Sequence, residues 1–450
     1  MIRAAADTPE IVGVATDTRQ SCAGQLFVAL VGERFDAHDY LEVAVQQGAA
    51  ALLVSNAEKC AEKLPAGVPA ILVDDTRLAL GRLAAAWRQE FSIPVIAVTG
   101  SNGKTTTREM IAAILRTAYG DDAVLTPKGN FNNDIGLPLT LLQLAPEHKA
   151  AVLEMGMNHP GEIACLTRIA SPTAALVTNA QRAHLEGMGS LEGVAMEKGC
   201  VYDALAADGV AIINNDDAYA ENWRQQNAAR PLLTFALDNP ADIMGDASLR
   251  GLDTQLTIRT PDGDRTITLQ IPGRHNARNA LAAAAAGIAA GLGLDTLAEG
   301  LAGFTGVKGR LQRQTGPYGA VILDDTYNAN PDSVRAGIDV LASAGGRQIL
   351  VLGDMGEIGE ASGQYHDEIG GYARSMGIDQ LYALGDASGQ AARNFADGAR
   401  SFKTPEALVK ALLSELKAMS KSGSAITLLV KGSRFMRMEK VVELLLKENH

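Results

Sequence analysis

The chain reads as an α/β protein of three domains: a central, mostly parallel sheet of P-loop type, a smaller α/β unit before it and a Rossmann-like unit after it. Three observations predict this. Short apolar runs alternate with helical stretches along most of the chain, the pattern of parallel sheets covered on both faces. A Gly-rich turn at Gly100 joins one such run to a helix. The length, 450 residues, corresponds to about three domains at ~150 residues each.

The first region, residues 1–90, holds apolar strands at Gln25–Leu30, Ala50–Val54 and Ala70–Val73, with helices at Asp39–Gln47 and Thr76–Gln89. Ser92-Ile93-Pro94 punctuates the chain before the next strand. The second region, 91–308, has buried-type strands at Pro94–Thr99, Ala150–Leu153, Ala174–Val177 and Val210–Ile213. Between Ile243 and Ile271 the texture changes, and Pro261-Asp262-Gly263-Asp264 signals the turn of an antiparallel hairpin. A long Ala-rich helix, Ala277–Ala290, closes the region. The third region, 309–450, repeats the alternation. Its strands are predicted at Ala320–Leu323, Gln348–Leu352, Gln380–Leu384 and Ala425–Val430. Its helices are predicted at Ser333–Ala342, Gln364–Ser375, Pro405–Met419 and Met436–Lys447.

Composition bounds the function. Aromatic residues make up only 4%, so the cores must be built from Leu, Ile, Val and Ala. The formal net charge of −12 argues against a nucleic-acid partner, whose electrostatic footprint is basic. It leaves anionic small ligands open, because backbone N–H groups and metal ions bind phosphate on acidic proteins. Cys22, Cys60, Cys165 and Cys200 show no C-x-x-C spacing and read as reduced thiols of a cytoplasmic protein. Met1–Gly13 has no apolar core of a signal peptide. The weakly polar run Ala280–Leu294 is shorter than the ~18 residues a bilayer requires, so no membrane span is expected.

The chemistry is concentrated in a few stretches. Val95–Thr99 leads into Gly100-Ser101-Asn102-Gly103-Lys104-Thr105-Thr106 and then a helix. Strand, glycine turn, Lys-Thr and helix make a phosphate cradle: glycines bring N–H groups close, Lys104 supplies a cation and the Thr105 hydroxyl can ligate Mg²⁺. Val98 stands where the usual motif has its first glycine, so the general motif is not matched. Glu154 ends an apolar strand, at the sheet edge where ligands bind, within reach of a metal on Thr105. His184 follows the next strand, as a structural histidine or a ligand. Lys198, taken alone, is a solvated lysine of the helix Glu192–Ala206. Asn276 is a helix N-cap, a contact to adenine, or both.

Thr99–Thr106 resembles the shortened phosphate loop of the Mur ligases and folylpolyglutamate synthases, which join a carboxylate to an amine using ATP through an acyl phosphate. The likeness extends over nearly the whole chain. Ala183–Gly189 and Glu197-Lys198-Gly199 are similar to the Mur segment whose lysine is carbamylated and whose histidine binds a second Mg²⁺. The resemblance implies metal ligation by Thr105, Glu154, His184 and Lys198. Pro272–Ala280 resembles the G-x-H-N-x-x-N motif, implying nucleotide contacts by Asn276 and Asn279. Arg310 resembles the phosphate-binding arginine of the domain junction, and Asp325 the acidic residue near the ATP ribose. Thr16–Arg19 and Leu26–His38 resemble a UDP-binding domain, which points to Thr18 and Arg19. Lys128–Pro138 and Lys431–Arg434 complete the set, with Asn132, Asn133, Lys431, Ser433 and Arg434 as substrate-binding candidates. Asp325–Pro331 and Gly353–Gly359 look like the member that adds D-alanyl-D-alanine, and the Asp-Asn-Pro-Arg word of the sibling that adds the third amino acid is absent from the third region.

The implied activity is an ATP- and Mg²⁺-dependent amide ligase for UDP-MurNAc-tripeptide and D-Ala-D-Ala, with Lys104, Lys198, His184 and Arg310 as catalytic candidates. A monomer is expected. The rivals are a folylpolyglutamate synthase, opposed by the UDP-type first region, and a P-loop switch or motor that hydrolyses ATP without ligation.

Overall fold

The computed structural model describes residues 9–63, 68–421 and 423–448. Residues 1–8, most of the stretch read above for a targeting signal, lie outside the described residues. Among the described residues three large sheets follow one another along the chain, with a two-stranded antiparallel ribbon, Val31–Gly32 and Phe35–Asp36, in the first unit. The first has four parallel strands, Val14–Ala15, Leu26–Val28, Ala51–Val54 and Ala70–Leu72, side by side in chain order. Leu26–Val28 and Ala51–Val54 are buried throughout, as continuous apolar runs are in sheets covered on both faces.

The helix Thr76–Gln89 has the predicted bounds because Asp75 caps it, accepting the N–H groups of Arg77 and Leu78. It joins two units. Leu80 packs into the first sheet's core and Ala84 into the core of the second. At its end Trp87 Nε1 donates to the Leu144 carbonyl at 3.1 Å and Arg88 Nε to the Ala170 carbonyl at 3.2 Å. The predicted division at residue 90 therefore falls just after a helix that both units share.

The central sheet has nine strands in the order Gly263–Leu269, Asp253–Thr260, Ile243–Arg250, Leu232–Ala236, Val210–Asn214, Ala174–Val177, Val95–Thr99, Ala150–Glu154, Val124–Leu125. Every neighbouring pair is parallel except the two made by Asp253–Thr260. The predicted hairpin is thus a three-stranded meander. Its first reversal uses Gly251 at φ 64°, where a lone glycine carried the turn without the Pro-Asp-Gly signal of the second. The Ala-rich helix runs Arg274–Ala289 with Gly273 at its N-cap, so Asn276 lies inside the first turn and is not the cap. Ala280 to Ala286 are fully buried, and this helix packs with Lys104–Tyr119 on one face of the sheet. Small side chains there let the helices approach closely.

The third sheet has the order Gln312–Thr315, Val321–Asp325, Ile426–Lys431, Arg347–Gly353, Gln380–Leu384, Ala399–Phe402, parallel except for its first pair. The last helix is Glu439–Lys447 and starts later than predicted, because Arg434–Met436 forms a 3₁₀ turn and Arg437 is left-handed at φ 50°. Cys22, Cys165 and Cys200 are free thiols, and among the described residues no helix is long and apolar enough to cross a membrane.

Candidate active site

The carboxyl ends of the central strands Val95–Thr99 and Ala150–Glu154 meet residues from the ends of Val321–Asp325 and Ile426–Lys431 across a cavity of about 1000 Å³. Open α/β sheets place ligands at this edge.

The phosphate loop forms its floor. Gly100 has φ 146° and Gly103 φ 83°. A Cβ on Gly100 would strike the Thr178 hydroxyl, and one on Gly103 the Asn279 carboxamide oxygen. Both glycines are needed for backbone conformation and for space. The helix Lys104–Tyr119 begins directly behind Gly103 with no side-chain cap, leaving its first N–H groups for an anion. Lys104 Nζ donates to the Gly100 carbonyl at 2.7 Å and the Ser101 carbonyl at 3.3 Å, which folds the lysine over its own loop. Burial lowers its ammonium below the usual lysine range, against the opposing pull of Glu154 and with Arg310 adding to the shift.

Glu154 is the anionic centre. Thr105 Oγ1 donates to its Oε2 at 2.8 Å, Asn132 Nδ2 to its Oε1 at 3.0 Å, and Arg108 Nη1 lies 3.3 Å from Oε2. Arg310 Nη2 donates to Thr105 Oγ1 at 2.9 Å, with its guanidinium 4.1 Å above the Tyr327 ring. Burial alone would raise the Glu154 carboxyl. The charges of Lys104, Arg108 and Arg310 and the Asn132 hydrogen bond outweigh burial and hold it below the ordinary range.

His184 and Glu357 face each other across the seam, 3.3 Å between Nδ1 and Oε2. Both have left-handed backbones, at φ 57° and 59°, a strained state for such residues that persists where surrounding structure enforces it. The Glu357 hydrogen bond would raise the imidazole. Burial and the charges of Lys104 and Lys198 prevail, so His184 is lowered and favours its neutral, ligating form.

Lys198 is not the solvated helix lysine that the sequence alone describes. It sits on Leu191–Gly199, is 1% exposed, and lies well below the ordinary lysine range, first through burial and then through the charge of Lys104. Its neighbour Glu197 is engaged elsewhere, accepting the N–H groups of Gly161 and Ile163 at 2.8 and 2.9 Å.

Of the predicted residues, Ser101, Asn102, Gly103, Lys104, Thr106, Asn132, Asn133, Glu154, His184, Asn276, Asn279, Arg310, Asp325 and Lys431 line the cavity. Gly100 and Thr105 support it from the loop. Asn279 donates to Asn276 Oδ1 at 3.2 Å, and Asn276 donates to the Pro272 carbonyl at 2.7 Å. Lys431 is 2.6 Å from Asp325 and donates to the Asn328 carbonyl at 2.9 Å. Ser433 is behind the wall, where it accepts the Gly356 N–H and donates to the Ala329 carbonyl. Four predicted residues do not line it: Lys198 is buried behind it, Arg434 pairs with Glu439, and Thr18 and Arg19 remain on the first unit, Arg19 89% exposed beside Asp17.

Sequence reasoning gave no role to Arg108, Arg77 or Glu357. Arg108 had a readable signal: it lies one helical turn after Lys104 and so shares its face. Arg77 and Glu357 reach the cavity only through the docking of separate units.

A hydroxyl and a depressed carboxylate in contact at a helix N-terminus, ringed by cations, suit a hard oxygen-liganded ion and phosphate together. Among the described residues no group of three His, Cys, Asp or Glu could hold a metal unaided. Mg²⁺ binds through one or two carboxylates plus substrate phosphates, and Glu154 is such a carboxylate in contact with Thr105 of the phosphate loop.

Comparison with known proteins agrees. Residues 98–287 match the Mur ligase middle domain, 309–434 the Mur ligase glutamate ligase domain, and 10–88 the Mur ligase family catalytic domain. The chain is 44% identical to the UDP-N-acetylmuramoyl-tripeptide–D-alanyl-D-alanine ligase of Escherichia coli, covering 96% of this chain and 93% of the relative. A crystal structure of MurF from Acinetobacter baumannii superposes with a TM-score of 0.89 at 34% identity, over 96% of this chain and 93% of that one. MurF from Thermotoga maritima in complex with ADP gives 0.84 at 26%, over 98% and 99%. The chain belongs to the Mur ligase family.

Proposed function

We propose that this protein joins the amine of D-alanyl-D-alanine to the free carboxylate of UDP-N-acetylmuramoyl-tripeptide at the expense of ATP, a step of peptidoglycan precursor synthesis. The observation that carries the proposal is the seam cavity, where the phosphate loop and Glu154 face Arg310, Asp325 and Lys431. Relatives of that named activity match nearly the full length.

A carboxylate oxygen of the tripeptide attacks the γ-phosphorus, the bond to the β-phosphate oxygen breaks, and ADP leaves. The dipeptide nitrogen then attacks the acyl carbon, phosphate departs with the bonding electrons, and the nitrogen gives up its proton. Lys104 and Arg310 stand where charge grows on the transferred phosphoryl oxygens. Thr105 and Glu154 would hold Mg²⁺, which supplies charge neutralisation at the phosphates when bound. Asn276 and Asn279 serve the nucleotide, and Asp325 the ribose side.

Lys198 is assigned a carbamate. Burial pushes its ammonium well below the ordinary lysine range, which favours the neutral amine whose lone pair adds to CO₂ as the nitrogen gives up a proton. A free ammonium beside a metal ion would be repelled by about 4 kcal/mol per unit charge at 4 Å and an effective dielectric of 20. A carbamate reverses that sign, and with His184 it would hold a second Mg²⁺.

Residues 1–90 are assigned to the UDP moiety through Thr18 and Arg19, 91–308 to ATP and 309–450 to completing the ligase site, with Asn132, Asn133, Lys431, Ser433 and Arg434 on the substrate side. The working enzyme is a cytoplasmic monomer. The test is product formation: an amide appearing only with ATP, UDP-MurNAc-tripeptide and D-Ala-D-Ala together supports the reading. ATP hydrolysis indifferent to both substrates points to a switch or motor instead.

A further inference from the structure

Arg182 lies in the loop after Ala174–Val177, two residues before His184, and does not line the cavity. Its contacts all lead across the seam. Its backbone N–H donates to Asp332 Oδ2 at 2.8 Å, and its Nε and Nη2 donate to Oδ1 at 3.0 and 2.6 Å. The same guanidinium reaches a second helix: Nη1 donates to Glu368 Oε2 at 2.9 Å and Nη2 to Oε1 at 3.2 Å. Arg335 Nη1 holds that carboxylate from the other side at 3.0 Å. The Tyr365 ring lies under the Arg182 guanidinium, 5.3 Å away.

Asp332 opens the helix Pro331–Ser343, and Glu368 sits within Ser362–Ser375. One planar fork therefore ties two helices of the third unit to a single loop of the central one. A lysine, with a compact charge, cannot serve both carboxylates in this geometry. The side chains of Arg182, Asp332 and Glu368 are 26%, 21% and 32% exposed, so the clasp is mostly shielded from solvent.

We infer that Arg182 is a positioning residue for ligation. It fixes the His184 loop against the third unit, and so sets the spacing between the phosphate loop and the Asp325–Asn330 wall. This deepens the ligase reading and rests on it. Neither Arg182 nor Glu368 lines the cavity, so loss of a direct substrate contact cannot account for an effect at both.

The test uses the full-length protein and four variants: Arg182→Ala, Arg182→Lys, Glu368→Gln and the Arg182→Ala/Glu368→Gln pair. Amide formation gives kcat and KM, and ADP titration gives the affinity of the phosphate loop. Arg182→Ala is expected to lower kcat by about tenfold or more, with ADP affinity kept within about twofold. Glu368→Gln should fall in the same direction, Arg182→Lys should stay well below wild type, and the double variant should be no worse than Arg182→Ala, because all break one clasp. Wild-type kcat in Arg182→Ala would overturn the inference. So would losses that multiply in the double variant, or ADP affinity that falls in step with kcat. If Arg182→Ala fails to fold, Arg182→Lys and Glu368→Gln carry the test. A wild-type protein that forms no amide would refute the ligase reading rather than this one.

Discussion

Replacing Lys198 with Met should stabilise the protein while abolishing ligation. The side chain is 1% exposed, and burial holds its ammonium well below the ordinary value of 10.5. Met has similar length, no charge and enough flexibility to fill the space. The unfolded chain keeps a proton on this lysine up to a higher pH than the folded chain does, so folding disfavours the ammonium. Below the folded pKa that cost is constant. Above it the cost shrinks as pH rises, and it vanishes above the unfolded value. The cost of burying this amine therefore falls by about 1.4 kcal/mol for each pH unit between the folded and the unfolded value. Lys198→Met should recover that difference, with the gain larger at pH 7 than at pH 9.5. Trp223 is a local reporter: it is 2% exposed, and its indole donates to the carbonyl of Ala195, on the same helix as Lys198, at 3.2 Å. Urea unfolding in CO₂-free buffer, followed by tryptophan fluorescence in a Trp87→Phe background, gives the comparison. An equal gain at both pH values, or a loss at both, would refute the argument from burial.

Four further outcomes are expected. Lys104→Ala should remain folded by circular dichroism and lose nearly all turnover, since the lysine serves phosphate charge rather than packing; near-normal turnover would defeat the phosphate-loop assignment. Lys198→Ala should be nearly inactive and regain part of its turnover with a short added carboxylate, whereas Lys198→Arg should not, because the space stays full and positive. Gly103→Ala should weaken ADP binding by about tenfold or more, as its methyl meets Asn279 on a left-handed backbone that strongly favours glycine; unchanged binding would show that the loop relaxes freely. Arg77→Ala should raise the KM for UDP-MurNAc-tripeptide more than that for ATP, because Arg77 brings the first unit to the cavity; equal changes would argue against a UDP role for residues 1–90.

Local signals carried much of the architecture. Continuous apolar runs gave the central strands of the three large sheets, since a strand buried on both faces must be apolar at every position. Asp75 caps the start of Thr76–Gln89 and Pro405 lies at the start of Pro405–Ser420, because caps and prolines act within a few residues. Polar edge strands such as Gln312–Thr315 and Ala399–Phe402 were missed, as an edge needs no apolar pattern. The helix Ser388–Phe395, which opens Ser-Gly-Gln, was not among the predicted elements.

The sequence by itself determined the phosphate loop and the family, because backbone conformation, glycine space and the Lys-Thr pair are encoded in one short stretch. It also named the cavity residues Glu154, His184, Arg310, Asp325 and Lys431. It did not reveal that Lys198 is buried, since one helical lysine has the same local pattern whether water or protein covers it. Nor did it reveal the Arg182 clasp, whose partners lie 150 and 186 residues away. Burial and charge pairing are properties of surfaces brought together by docking, and only the tertiary structure decides which surfaces meet.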